Sequence, residues 1–271
     1  MIKKLIIVAR NFLLDFYDTV TGKRNSMVPP RHMVNINAGN DEKIQKKFLK
    51  LFKDPGGLKS TDNVLDVGSG YGRMAVALTD YLSPDSRYEG IEILKKGVDW
   101  CTKRITSKYN NFNFSLIDVK NDRYNPNGKT SASEYKFPFA SESFDFVFLV
   151  SVFTHLLPAD LENYLSEISR VLNNNGRCFI TFFLLNEFTN SQIEKGKASY
   201  TLKFKYQNCR IESEDNPEWV IAYEEKDILK LFHKYGLTID SVNYGGWTGR
   251  ENCLSNQDII VGKKIKNTKS S

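Results

Sequence analysis

The sequence predicts an α/β fold, a doubly wound and mostly parallel sheet of seven strands. Three observations predict it. From residue 61 onward, short apolar runs alternate with stretches of helical periodicity, the pattern of parallel strands joined by crossover helices. The first run ends in Gly68-Ser69-Gly70-Tyr71-Gly72, a glycine loop between a strand and a helix. Residues 144–150 form a continuous apolar run, as expected of a strand buried on both faces.

The elements follow in order. Residues 1–9 begin like an export signal, but Arg10 and Asp15 interrupt the apolar stretch and no small-residue cleavage site follows. Ile2, Leu5, Ile6, Ala9, Phe12, Leu13, Phe16 and Val20 instead share one face of a helix. We read that face as docking on the domain, with weak adhesion to a membrane surface as the alternative. A polar loop after Pro29-Pro30 and a helix over 41–52, broken at Asp54-Pro55-Gly56-Gly57, complete a helical cap over 1–60. The main domain spans 61–262. Its strands fall at 63–67, 87–93, 112–117, 144–150, 177–183, 237–244 and 257–262, with helices at 73–81, 95–109, 160–172 and 226–235. A polar excursion at 120–136 interrupts the rhythm. The last two strands leave no room for a helix between them and are expected to be antiparallel neighbours. Residues 263–271 read as a solvated basic tail.

Composition narrows the function. Among 271 residues, 41% are hydrophobic and 26% charged, and no apolar run approaches the ~20 residues that cross a bilayer. Cys101, Cys178, Cys209 and Cys253 are scattered, so neither a zinc site nor a disulfide framework is indicated, and a reducing, cytoplasmic setting fits. The net charge is +6. Residues 1–31 contribute six basic and two acidic side chains and the tail four lysines, which leaves the body slightly acidic. No nucleic-acid partner is expected.

The chemistry sits at strand ends. A nicotinamide-dinucleotide loop, Gly-x-Gly-x-x-Gly, would have its third glycine at position 73; that residue is Arg73, and the third glycine is Gly72. Such loops hold pyrophosphate on backbone amides. Asp66, just ahead of this one, disfavours a polyanion and suits a cationic ligand end. Taken alone, the loop is equally a glycine-rich turn without a ligand. Glu92 ends the second strand, where an acid accepts hydroxyl bonds from a ribose; the plainer reading is an exposed strand-end acid. Asp118 ends the third strand and is either an acceptor for an adenine amino group or a turn former. Three acids at the carboxyl ends of successive strands, where open α/β sheets bind ligands, favour the ligand readings.

Residues 64–78 (VLDVGSGYGRMAVAL), 88–93 (YEGIEI), Asp118, 137–150 (FPFASESFDFVFLV) and 167–180 (EISRVLNNNGRCFI) resemble the ordered motifs of class I S-adenosylmethionine-dependent methyltransferases. The resemblance covers residues 61–183, with a weaker match in the two C-terminal strands. It implies an antiparallel last strand, S-adenosylmethionine as cofactor, and methyl transfer as the activity. It further implies Asp66, Gly68, Gly70 and Gly72, with their neighbours Ser69 and Arg73, around the methionine part. Glu92 and Ile93 would lie at the ribose, Asp118 and Val119 near the adenine, and Ser151 in the segment that lines the pocket after the fourth strand. Ser69 stands where many members have cysteine, and the excursion at 120–136 departs from the pattern next to the adenine contact.

His155 follows the fourth strand, beside the expected transfer site. It is either a base for an acceptor hydroxyl or a residue that caps or packs beneath the coming helix. His233 reads as structural, and His32, after Pro29-Pro30-Arg31, is placed to fold over the pocket. The aromatic residues of 186–222 (Phe188, Tyr200, Phe204, Tyr206 and Trp219) are either the core of a lid inserted after the fifth strand or the wall of an acceptor pocket. The expected reaction is methyl transfer to a hydroxyl of a small molecule or glycan. A non-catalytic adenosyl-binding module is the alternative, and a nicotinamide-dependent oxidoreductase is disfavoured by Arg73. No metal is expected.

Overall fold

The computed structural model describes residues 2–22, 25–31, 33 and 42–265, with residues 2–9 and 19 as backbone only. The elements in chain order are α1 (Ile2–Val20), α2 (Glu42–Lys53), β1 (Val64–Val67), α3 (Arg73–Leu78), β2 (Tyr88–Glu92), α4 (Lys95–Cys101), β3 (Phe112–Leu116), β4 (Phe144–Leu149), α5 (Pro158–Val171) and β5 (Leu172–Phe182). After them come β6 (Leu184–Leu185), α6 (Glu187–Glu194), β7 (Phe204–Tyr206), β8 (Cys209–Ile211), β9 (Ile221–Glu224), α7 (Glu225–Lys234), β10 (Leu237–Asn243) and β11 (Asp258–Lys264). The main sheet has seven strands in the order β10-β11-β5-β4-β1-β2-β3. β1 to β5 pair in parallel, and β11 runs antiparallel to both β5 and β10.

Strand alternation explains the continuous apolar runs. In β4, Phe146 and Phe148 enter the core on the α2 side, while Phe144, Val147 and Leu149 enter the core on the α5 side. Phe52 of α2 is wholly buried, with ring centroids 4.5 Å from Phe148 and 5.0 Å from Phe179. Burying one such ring stabilises the fold by about 1.5–3 kcal/mol, so α2 belongs to the core of the main domain as much as to a cap. The chain order turns back between β1 and β4, and the carboxyl ends of those strands open a crevice at that switch point.

Four expectations are revised. The helix after β2 is shorter than 95–109; it ends at Cys101 and continues as a π-helical turn, Thr102–Thr106. Residues 186–222 are not a simple lid loop but most of a second, four-stranded sheet in the order β6-β9-β8-β7, with its own core around Phe183, Leu202 and Trp247. Lys263 and Lys264, read as the start of a tail, are the last residues of β11; Lys264 Nζ donates to the Leu172 carbonyl at 2.7 Å. Most consequentially, α1 does not bury its apolar face over the side chains described, from residue 10 onward. Leu13, Phe16 and Val20 are about 70% exposed, whereas Asn11 and Asp15 are buried. His32 and residues 266–271 lie outside the described residues.

Candidate active site

β1 delivers the chain into a turn with three left-handed glycines, Gly68 (φ 83°), Gly70 (φ 55°) and Gly72 (φ 76°), a conformation costly for any residue with a Cβ. Two of them also lack room. A Cβ on Gly68 would lie 2.5 Å from Val152 Cγ2, and one on Gly72 2.6 Å from Ile105 Cδ1. At Gly70 a Cβ would meet nothing within 4 Å, so that stretch of backbone is open. Below the loop, Glu92 is buried at the end of β2. Its carboxylate accepts from the Gly70 amide at 2.6 Å and from the Ile93 and Leu94 amides at 2.8 Å each. Burial raises its pKa, and the Leu94, Gly70 and Ile93 amides oppose that rise.

A cavity of about 250 Å³ opens from this loop. Its lining includes Gly68, Gly70 and Glu92, the apolar Ile93, Ile117 and Val119, and Ser151 and His155. Ser151 has a left-handed backbone (φ 61°) fixed by its neighbours. Its amide donates to Thr181 Oγ1 at 2.8 Å and its hydroxyl to Gln257 Oε1 at 3.0 Å. His155 follows in a 3-10 turn, Phe153–His155. Its Nδ1 lies 2.9 Å from the Glu218 carbonyl oxygen. A carbonyl only accepts, so the partner assigns the proton to Nδ1 and leaves Nε2 with a lone pair. Burial lowers the His155 pKa and the Arg123 cation adds to the effect, while the Glu218 and Trp219 carbonyls oppose it. Burial and Arg123 thus both favour the neutral imidazole.

Two segments meet over His155. Glu218 and Trp219 belong to a 3-10 turn, Pro217–Trp219, just before β9. The Glu218 carboxylate accepts from the Asp122 amide at 2.7 Å, and the Arg123 guanidinium stacks 4.0 Å above the Trp219 ring. Tyr124 lines the cavity and meets His155 edge to face at 6.1 Å. The polar excursion and the insertion thus form one roof.

Residues 65–180 match the family model of a methyltransferase domain. Among solved structures, this chain is similar to a 1,6-didemethyltoxoflavin-N1-methyltransferase from Burkholderia thailandensis, determined with 1,6-didemethyltoxoflavin and S-adenosylhomocysteine bound; identity is 14%, 97% of this chain and 90% of that chain are covered, and the TM-score is 0.53. A SAM-dependent methyltransferase from Aquifex aeolicus is 17% identical, with 84% and 95% covered and a TM-score of 0.52. The protein carries a class I, S-adenosylmethionine-dependent methyltransferase domain. The cyclase SpnF is also similar, at 13% identity, 81% of each chain covered and a TM-score of 0.55. Likeness at this level carries the fold, so what the methyltransferase does must be argued from its own residues.

The cavity of the methyltransferase fits such a cofactor on three grounds. A buried strand-end carboxylate, Glu92, retains acceptor capacity beyond its three amide bonds. The Gly70 backbone is open, and the walls beside Glu92 are apolar, as an adenine ring requires. Of the residues singled out from sequence, Gly68, Gly70, Glu92, Ile93, Val119, Ser151 and His155 converge on this cavity. Asp66, Ser69, Gly72, Arg73 and Asp118 do not line it. One cause accounts for both aspartates. Leu65 and Val67 face the α5 side, so the intervening Asp66 points to the opposite face, where it accepts from the Tyr88 hydroxyl. Ile117 and Val119 turn inward, so Asp118 points outward and accepts from the Lys129 amide at 3.3 Å. Sequence reasoning missed Tyr124, Glu218 and Tyr164 of α5, which also lines the cavity; only Tyr124, an aromatic residue set in a polar stretch, was a signal. Among the described residues, no group of three or more His, Cys, Asp or Glu side chains is arranged to hold a metal. No described helix is long and apolar enough to cross a membrane.

Proposed function

We propose that the methyltransferase methylates a hydroxyl of a small molecule or sugar, with His155 as the base. One observation carries this reading. His155 has its Nδ1 proton committed to the Glu218 carbonyl, and its ring lines the same cavity as the glycine loop and Glu92. An acceptor hydroxyl has a pKa far above 7, so a neutral imidazole with a free lone pair is what its deprotonation calls for. A thiolate or a neutral amine would need no such group.

When bound, the cofactor supplies a sulfonium-activated methyl group. The chain does the rest. Glu92 takes the ribose hydroxyls, Gly68 and Gly70 leave room for the methionine part, and Ile93 and Val119 flank the adenine. His155 Nε2 takes the acceptor proton, and Glu218 holds the ring in the tautomer that allows it. Tyr124 and Trp219 exclude water from the acceptor side.

The test is release of S-adenosylhomocysteine with a panel of hydroxyl, amine and thiol acceptors. With a hydroxyl acceptor, His155→Ala is expected to lower kcat about 10²–10⁴-fold, with affinity for S-adenosylhomocysteine unchanged. His155→Asn keeps a polar group in place but is no base, and should be as slow. Full turnover by His155→Asn would remove the base role, and activity confined to thiol acceptors would remove the hydroxyl reading.

A further inference from the structure

α1 is an amphipathic helix turned inside out. Its acids face the protein. Asp15 is buried and Asp18 lies beside it; Arg31 bridges both, at 3.2 Å and 2.7 Å. Among its described side chains, the large apolar residues of the C-terminal half face away. Leu13 and Phe16 are each 71% exposed, Val20 is 70% and Leu14 40%. Positions 13, 16 and 20 fall within about 60° of one another on a helical wheel, so this is one stripe and not scattered exposure. A stripe of this kind on a folded surface marks a place where something else binds.

Charge indicates what binds. With Asp15 and Asp18 engaged by Arg31, the outward side of the helix shows Arg10, which is exposed, beside Leu13 and Leu14. The flanking sequence adds Lys3, Lys4, Lys23 and Arg24. An apolar stripe containing an aromatic ring, beside the exposed Arg10 and within a stretch of sequence rich in lysine and arginine, matches the interface of a bilayer with anionic headgroups, where rings and aliphatic chains enter the acyl boundary and lysine and arginine stay at the phosphates. A basic protein partner would ask for acids on the stripe, and among the described residues the acids of α1, Asp15 and Asp18, are held by Arg31 instead. We propose that α1 seats the enzyme reversibly on an anionic phospholipid surface, with Leu13, Phe16 and Val20 inserted and the basic residues at the headgroups. This goes beyond the methyl-transfer reading and does not depend on it.

The experiment is co-sedimentation of the full chain with phosphatidylcholine vesicles and with vesicles of phosphatidylcholine and phosphatidylglycerol at about three to one. Partition onto the anionic vesicles is expected to exceed that onto the neutral ones about ten-fold, and to fall several-fold as NaCl rises to about 0.5 M. Phe16→Asp should lower it about ten-fold and Arg10→Glu several-fold. Affinity for S-adenosylhomocysteine and the melting temperature should hold in both variants, since neither residue supports the core. The proposal is overturned by equal sedimentation with and without vesicles, by partition that Phe16→Asp leaves intact, or by neutral vesicles binding as well as anionic ones. It is also overturned if Phe16→Asp unfolds the protein, which would mean that the stripe is packed. A dimer by light scattering that Phe16→Asp dissociates, without vesicle binding, would assign the stripe to a second copy instead.

Discussion

The β1–β3 half of the sheet, residues 64–119, and the inserted sheet, residues 184–224, both contribute to one crevice but are built differently. The first is local. A four-residue strand, a glycine turn and an acid at the end of the next strand lie within one βαβ unit, tied by the Gly70, Ile93 and Leu94 amides to the Glu92 carboxylate. The second contains a local hairpin, β7–β8, but reaches the crevice only through tertiary contacts. His155 meets Glu218 across 63 residues of sequence, and Asp122 meets Glu218 across 96. The proposed cofactor side thus lies in a contiguous stretch of chain, whereas the roof over His155 is assembled from three distant segments. The two halves should therefore fail separately when mutated.

The sharpest test of this separation, after loss of the base, is Glu92→Ala. Removing a buried acceptor that serves several donors costs about 1–3 kcal/mol, or roughly 5- to 150-fold in cofactor affinity. Titration with S-adenosylhomocysteine should show that loss, while the acceptor KM at saturating cofactor changes little. A rise in acceptor KM without loss of cofactor affinity would put Glu92 on the wrong side of the division.

On the roof, Trp219→Ala removes the face on which Arg123 stacks at 4.0 Å, an interaction of about 0.5–2 kcal/mol. The acceptor KM should rise about 2- to 30-fold, with S-adenosylhomocysteine affinity unchanged. Glu218→Ala keeps the backbone carbonyl that orients His155 and loses only the carboxylate bond to Asp122; its effect on kcat should be smaller than its effect on KM. Equal loss of cofactor affinity in either variant would mean that the roof and the glycine loop act as one unit.

The same contrast accounts for what the sequence made legible. The seven strands, the antiparallel pairing of the last two, the glycine loop and Glu92 were readable because each depends on local periodicity or on a residue at a strand end. Asp66 and Asp118 were placed at the correct ends of their strands, but their side chains point away from the cavity. The period-two rule already carried that information, since Leu65, Val67, Ile117 and Val119 occupy the inward positions. Tyr124 and Glu218 were not readable, because nothing within ten residues of either indicates that they meet over His155. For α1 the periodicity was read correctly and the direction was not; a helical wheel shows that a face exists without showing which way it looks.

The smallest effect on the site is expected where the cofactor half holds a charge that the cavity does not use. Asp66 is buried, and its carboxylate accepts from the buried Tyr88 hydroxyl. Burial raises its pKa from 3.8 to about 7 and nearby Glu92 adds to the rise, while the Tyr88 bond and the Arg73 cation oppose it. The folded state therefore holds this proton more tightly than the unfolded chain does. Linkage gives the sign: the group's contribution to stability is fully present below the unfolded value of 3.8, declines as pH rises, and is lost above about 7. Asp66→Asn keeps the shape and still offers an oxygen to Tyr88, but it cannot ionise. Below about pH 4 the parent and Asp66→Asn should melt within a few degrees of each other. Between about pH 4 and pH 7 the variant should gain on the parent, by roughly 2–4 °C for each kcal/mol that ionisation costs the parent, with no further gain above about pH 7. Affinity for S-adenosylhomocysteine at pH 7 should stay within about two-fold, because Asp66 does not line the cavity. A melting-temperature difference that stays flat from about pH 4 to pH 7 would show that Asp66 is already ionised in the folded protein. A large loss of cofactor affinity in Asp66→Asn would instead return this residue to the binding site, and the cofactor half would then reach through the sheet as well as along its edge.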